Sequence, residues 1–126
     1  MKGGQETSLY QSIHYGTSYP LQKWEAGSNY AVKNMAAGYH VYGVEWNSTA
    51  LKFYYDNTLK NTINFPLPGG AAANSQVFYN NVPFAIIIDL AVGGNFINLD
   101  LPPEPVFSAP VEDRCLMVDW VRVYEN

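Results

Sequence analysis

The sequence predicts an all-β fold, an antiparallel β-sandwich or jelly roll, and three observations carry that prediction. Runs with a two-residue apolar–polar period recur along the chain, and turn residues separate them, which is the signature of half-buried strands. The composition is 48% hydrophobic and 15% aromatic with only 14% charged residues, and aromatic side chains suit a pleated surface. Helix signals do not recur, so about seven short strands are expected to stack as sheets.

The first run is Leu9 to Tyr15. Leu9, Gln11, Ile13 and Tyr15 alternate there with Tyr10, Ser12 and His14. Gly16 to Ser28 is rich in Gly, Ser and Pro and reads as a loop carrying Tyr19 and Trp24; Asn29 to Lys33 reads as a short strand and Asn34 to Gly38 as a connector. Gly38 to Asp56 then predicts a hairpin. His40, Tyr42, Val44 and Trp46 share one face of its first strand, and Leu51, Phe53 and Tyr55 share one face of its second. Asn47-Ser48-Thr49 supplies the turn and also spells a glycosylation sequon. Asp56-Asn57 predicts a second tight turn, with Thr58 to Ile63 returning as a strand. Pro66 to Ser75 is a loop.

Pro83 to Gly94, PFAIIIDLAVGG, is the most apolar run, and its length and flanking Pro and Gly favour a buried strand. Asn95 to Pro110 holds four of the eight prolines and cannot be regular structure for long. Cys115 to Tyr124 predicts a closing strand, with Cys115 as a small buried hydrophobe.

The same residues exclude several functions. A net charge of −4 opposes nucleic-acid binding, which needs a basic stripe. The sequence holds no apolar run long enough to span a bilayer, and MKGGQETS does not read as a secretory leader. A single cysteine forms no intramolecular disulfide. No glycine-rich phosphate loop opens a helix, two histidines and one cysteine have no zinc spacing, and no serine sits in a nucleophile elbow. Carboxylates, histidines and exposed aromatics remain as candidates.

Four stretches go further than the periodicity. SIHYG at Ser12 to Gly16, YHVYGVEW-x4-LKFYYD at Tyr39 to Asp56, PFAIIIDLAVGGNF at Pro83 to Phe96 and MVDWVRVYEN at Met117 to Asn126 together resemble glycoside hydrolase family 16. The resemblance is strongest to its laminarinase or endo-β-1,3(4)-glucanase branch and covers essentially the whole chain. Each motif is loose alone; four in this order are specific. The resemblance implies a concanavalin-like jelly roll whose concave sheet forms a cleft for a β-1,3- or β-1,3-1,4-glucan chain. It also implies retaining hydrolysis by two carboxyls about 5–5.5 Å apart, with no cofactor for the chemistry, and a secreted protein.

The family draws its two carboxyls from one strand with the pattern E-x-D-x-x-E, which does not occur in this sequence. Its place in the family is immediately before the His14 strand. The expectation is therefore that residues 1–126 are the C-terminal half of such a domain, lacking the catalytic strand. The isolated chain is expected to be inactive, with a missing half or association covering its strand edges. The alternative is a non-catalytic β-glucan-binding module. No other carboxylate pair replaces the acids: Glu6 precedes its strand, Glu45 lies on the face opposite Trp46, and Asp89 is isolated.

Candidate substrate-binding residues are His14, Asp89, Trp46, Trp24 and Phe96. His14 reads either as a cleft residue or as a hydrogen-bonded structural histidine. Asp89 stands where the family has Asn and reads either as a cleft residue or as a paired carboxylate. Trp46 reads either as core or cleft-floor packing or as a direct sugar platform, His40 as structural, and Trp24 as a loop aromatic that either stacks on sugar or packs. Phe96 replaces the family's Trp, weakening any stacking there. Asp119 matches the aspartate that some members place at a structural calcium, an ion that needs several oxygen ligands.

Overall fold

A computed structural model describes residues 5–15, 23–33, 35–67, 83–91, 110 and 115–125; within 23–29 the backbone alone is described. The chain divides into two compact units, Met1–Phe84 and Ala85–Asn126. Every regular element among the described residues is a strand, and all lie in the first unit: β1 (Ser8–Tyr15), β2 (Lys23–Ala31), β3 (Tyr42–Trp46), β4 (Ala50–Tyr55) and β5 (Thr58–Asn64). They form a two-stranded sheet, β1-β2, and a three-stranded sheet, β3-β4-β5, all antiparallel.

The alternation of β1 translates directly into burial. Leu9, Ile13 and Tyr15 are buried while Ser12 and His14 are exposed, because successive side chains of a strand point to opposite faces. The buried face of β1 packs on the β3-β4-β5 sheet. Ile13 and Tyr15 meet Leu51 and Leu67, with Phe53, Ile63 and Phe65 around them. Leu9, Met35 and Tyr55 form a second cluster, flanked by Tyr30 and Val32. Burying one such aliphatic or aromatic side chain contributes about 1.5–3 kcal/mol, so these few residues hold the sheets face to face. Three main-chain bonds anchor the start of β1: Ser8 N to Gln5 O (2.9 Å), Val32 N to Thr7 O (3.0 Å) and Met35 N to Glu6 O (2.8 Å).

The two predicted turns close the β3-β4-β5 meander. Asn47 Oδ1 accepts from Thr49 N (2.8 Å), Thr49 Oγ1 (2.8 Å) and Ala50 N (3.0 Å), so one side chain satisfies the donors that the chain reversal leaves over. Asp56 (φ 47°) and Asn57 (φ 61°) are both left-handed. A two-residue hairpin turn that matches the strand twist requires this, and Asp and Asn tolerate it. The register Tyr42↔Tyr55, Val44↔Phe53 and Trp46↔Leu51 puts these residues on one face, with Gly43, Glu45, Lys52 and Tyr54 on the other.

Three expectations need correction. Residues 23–28, read as loop, belong to β2, whose pairing with β1 runs from Lys23 to Ala31. Gly27 and Ser28 suppress the strand signal, but the register steps from Leu9↔Tyr30 to Gln11↔Gly27. One extra residue on β2 is absorbed as a bulge, and the ladder continues past it. Second, residues 83–91 carry no strand, and Phe84, Ile86, Ile87, Ile88 and Leu90 are exposed; residues 115–125 likewise carry no strand and are exposed. An apolar run becomes a buried strand only when a facing strand joins its ladder and covers it, and none of the described strands pairs with either run. Third, Cys115 is exposed rather than buried, as are the other described residues of its run. Residues 92–94, at the end of the apolar run, lie outside the described residues.

Candidate functional site

Antiparallel pairing places His14 opposite Trp24, Ser12 opposite Ala26 and Ile13 opposite Glu25. Two residues that the sequence separates by nine positions of unrelated loop signal thus become cross-strand neighbours in backbone register. His14 and Ser12 lie on the solvent side of β1, opposite the buried Leu9–Ile13–Tyr15 face. On that same side Tyr10 donates its hydroxyl to Gln5 Oε1. The solvent face of β1 therefore offers an imidazole, a hydroxyl and a phenol in a row, a set able to hydrogen-bond sugar hydroxyls and to pack against a pyranose face.

The remaining candidates are dispersed. Trp46 ends β3, half exposed, with its ring edge-on to Phe84 at 6.5 Å and 75°. Asp89 and Asp119 belong to the second unit and are exposed. Arg122 lies over the Trp120 ring, 4.6 Å from its centroid, a cation–π contact. Phe96 lies outside the described residues. Asp119 falls in no metal-ligating group, since the described residues contain no cluster of three or more His, Cys, Asp or Glu.

Two polar clusters of the hairpin were invisible as clusters in the sequence. In the first, His40 Nδ1 lies 2.8 Å from Asp56 Oδ2, while Asp56 Oδ1 accepts from Val41 N at 3.0 Å. A carboxylate only accepts, so the pair requires the proton on Nδ1. The Val41 amide first, and the His40 ring second, hold the Asp56 carboxyl below its ordinary value, since hydrogen bonds to the charged form favour it. The His40 ring stacks on Tyr55 (5.1 Å, 25°) and Tyr42 meets Tyr55 edge-on (5.4 Å, 74°). Burial, and then the Asp56 charge, push the Tyr42 phenol up. In the second cluster Tyr54 donates to Glu45 Oε2 (2.8 Å), and Lys52 Nζ lies 3.7 Å from Glu45 Oε1. The hydrogen bond to Glu45 raises the Tyr54 phenol above its ordinary value. Turn residues Asp56-Asn57 were the one available signal for the first cluster, because a tight turn sets which residue faces His40 across the hairpin.

An open groove of about 440 Å³ runs between β1 and the β3-β4 pair, lined by Leu9, Gln11, Tyr42, Val44 and Phe53 among others. Among the described residues Gln11 Oε1 is buried with no hydrogen-bond partner.

The strand-only architecture of the described residues and the ordered motifs are those of a β-sandwich class. The model of glycosyl hydrolases family 16 matches residues 2–94, and the chain belongs to that family. Among characterised relatives, it is 31% identical over 122 residues to glucan endo-1,3-beta-glucosidase A1 of Niallia circulans, covering 94% of this chain and 17% of that protein. It is 32% identical over 88 residues to the clotting factor G alpha subunit of Tachypleus tridentatus (70% and 11%). It is 31% identical over 124 residues to keratan-sulfate endo-1,4-beta-galactosidase of Sphingobacterium multivorum (95% and 26%). The chain thus spans only about a tenth to a quarter of the length of these relatives. No solved structure matches it.

Proposed function

We propose that residues 1–126 form the substrate-holding part of a family 16 domain that acts on β-1,3- or β-1,3-1,4-glucan. The observation that carries this is the exposed face of β1, where His14 and Ser12 reach solvent within the family-matched region. His14 holds sugar hydroxyls there, with Trp24 as its backbone neighbour on β2. Asp89, Trp46 and Phe96 add further contacts along the glucan. In the intact domain the reaction is retaining hydrolysis, with one carboxylate attacking the anomeric carbon and a second carboxyl protonating the departing oxygen. Both carboxyls come from outside this stretch, because the sequence has no E-x-D-x-x-E strand. The chain by itself binds glucan without cutting it. A polymeric glucan also implies work outside the cell.

Calorimetric titration of the purified chain with laminarin, alongside a reducing-sugar assay, tests this. Binding without sugar release is the expected result, with His14→Ala weakening binding about tenfold, or about 1.4 kcal/mol. A folded chain that ignores laminarin overturns the glucan assignment. Release of reducing sugar by the pure chain overturns the claim that the acids lie elsewhere. A non-catalytic recognition module is the second reading, favoured by the 32% identity to a protein named as a clotting-factor subunit rather than a hydrolase. It predicts binding in the full-length protein with no hydrolysis at all.

A further inference from the structure

We propose that Asn47 is the attachment site of an N-linked glycan, received from a lipid-pyrophosphate-linked oligosaccharide as the chain is exported. The proposal requires export, as the glucan reading does, and otherwise stands apart from the β1 face. Asn47-Ser48-Thr49 is the one N-x-Ser/Thr triplet of the sequence, the acceptor pattern for that modification. It forms the tip of the β3–β4 hairpin. Trp46 ends β3 and Ala50 begins β4, and all three residues of the triplet are exposed.

The hydrogen bonds of the turn tell the two ends of the Asn47 amide apart. Thr49 N and Ala50 N can only donate, and both reach the same side-chain atom, at 2.8 and 3.0 Å. That atom is therefore the oxygen, and the Thr49 hydroxyl donates to it as well, at 2.8 Å. The side-chain amide is planar, so Nδ2 lies across Cγ from Oδ1, on the side away from these three donors. The turn needs an acceptor at position 47, and a carboxylate or hydroxyl oxygen would serve it. The three bonds make no use of the amide nitrogen, which is the atom that takes a glycan.

The main chain fixes the tip in this arrangement. Asn47 N donates to Ala50 O at 3.0 Å and Phe65 N donates to Thr49 O at 2.8 Å, and Ala50 is buried. In the transfer, Asn47 Nδ2 bonds to the anomeric carbon of the first sugar. The bond from that carbon to the donor's pyrophosphate breaks, its electron pair leaves with the pyrophosphate, and one amide proton passes to the transferase. The product is still an amide, so Oδ1 keeps its three turn bonds and Nδ2 keeps one N–H. The transferase acts on the emerging chain, and the fold's part is to hold the product without losing a contact.

Peptide mapping of the protein from its own source, with and without peptide-N-glycosidase in heavy-oxygen water, tests the proposal. The expected result is a hexosamine-bearing peptide across Asn47 that the enzyme converts to heavy aspartate. An exported protein with bare Asn47 overturns the proposal. A protein retained in the cell with bare Asn47 overturns it together with the extracellular reading, while laminarin binding by the bare chain tests the glucan reading separately. A second measurement compares the chain secreted from insect cells with the same chain from bacterial cytoplasm. Thr49→Ser keeps the glycan and Thr49→Val loses it. Glycosylated and bare chains share one urea midpoint, whereas Asn47→Ala unfolds at a lower urea concentration. A bare chain from insect cells, a glycan retained in Thr49→Val, or a glycosylated chain as unstable as Asn47→Ala overturns the proposal.

Discussion

Replacing Leu51 by alanine measures how much of the fold rests on the contact between the two sheets. Leu51 is 6% exposed and sits in the cluster with Ile13, Tyr15 and Leu67, so its side chain belongs to both sheets at once. Truncation removes about three methylene equivalents at about 0.8 kcal/mol each, and the cavity left behind raises the total to about 3 kcal/mol. Val44 provides the internal comparison, since it lies on the same face, one strand away, at 47% exposure. Half of its side chain is in water already, so Val44→Ala should cost less than about 1 kcal/mol. Urea unfolding followed by tyrosine and tryptophan fluorescence, at a protein concentration low enough to keep the chain monomeric, reads both. If Val44→Ala costs as much as Leu51→Ala, the face of β3 is covered and the described packing is wrong. If Leu51→Ala costs less than about 1 kcal/mol, the two sheets do not form a common core.

The turn at Asn47 is the next test: Asn47→Ala removes the acceptor of three hydrogen bonds and should cost about 1–2 kcal/mol in the same urea assay. Asp56 gives a pH signature. Its folded carboxyl lies below the ordinary value of 3.8, so its stabilising effect is complete above that value and is lost as pH falls through the lower folded one. Thermal melts between pH 2 and about 5 should therefore show a steeper acid limb for the unaltered chain than for Asp56→Asn. For Tyr54, carbon-13 NMR of the phenol should give a titration above 10.0, and Glu45→Gln should bring it back down, because the Glu45 bond is the largest cause of the shift. An unmoved midpoint in that variant would show that the bond is not made.

The strand faces were readable because alternation is a local property. Leu9, Ile13 and Tyr15 had to share a side of any extended chain, and the structure buries them together. The Asn47 and Asp56-Asn57 turns were readable for the same reason, since side-chain acceptors and left-handed tolerance act within two or three residues. What failed was long-range. Residues 23–28 look like loop locally, and only the facing β1 ladder makes them strand. The apolar runs at 83–91 and 115–125 look like buried strands locally, yet burial needs a facing surface that no periodicity can supply. The His14–Trp24 register and the His40–Asp56 bond were missed because each depends on which strands pair and in what register.

By itself the sequence determined the class of element, the faces of β1 and of the hairpin, the positions of two turns and the family. All of these follow from residue type, near-neighbour spacing and ordered motifs. Tertiary structure alone decided that β1 lies across β4 and, among the described residues, leaves β3 half exposed, that His14 sits opposite Trp24, and that Asp56 orients His40. The physical reason is that a strand is complete only in its ladder. Its hydrogen bonds and one whole side of its side chains are satisfied by residues far away in the chain, so periodicity specifies what a strand can bury but not what it is buried against.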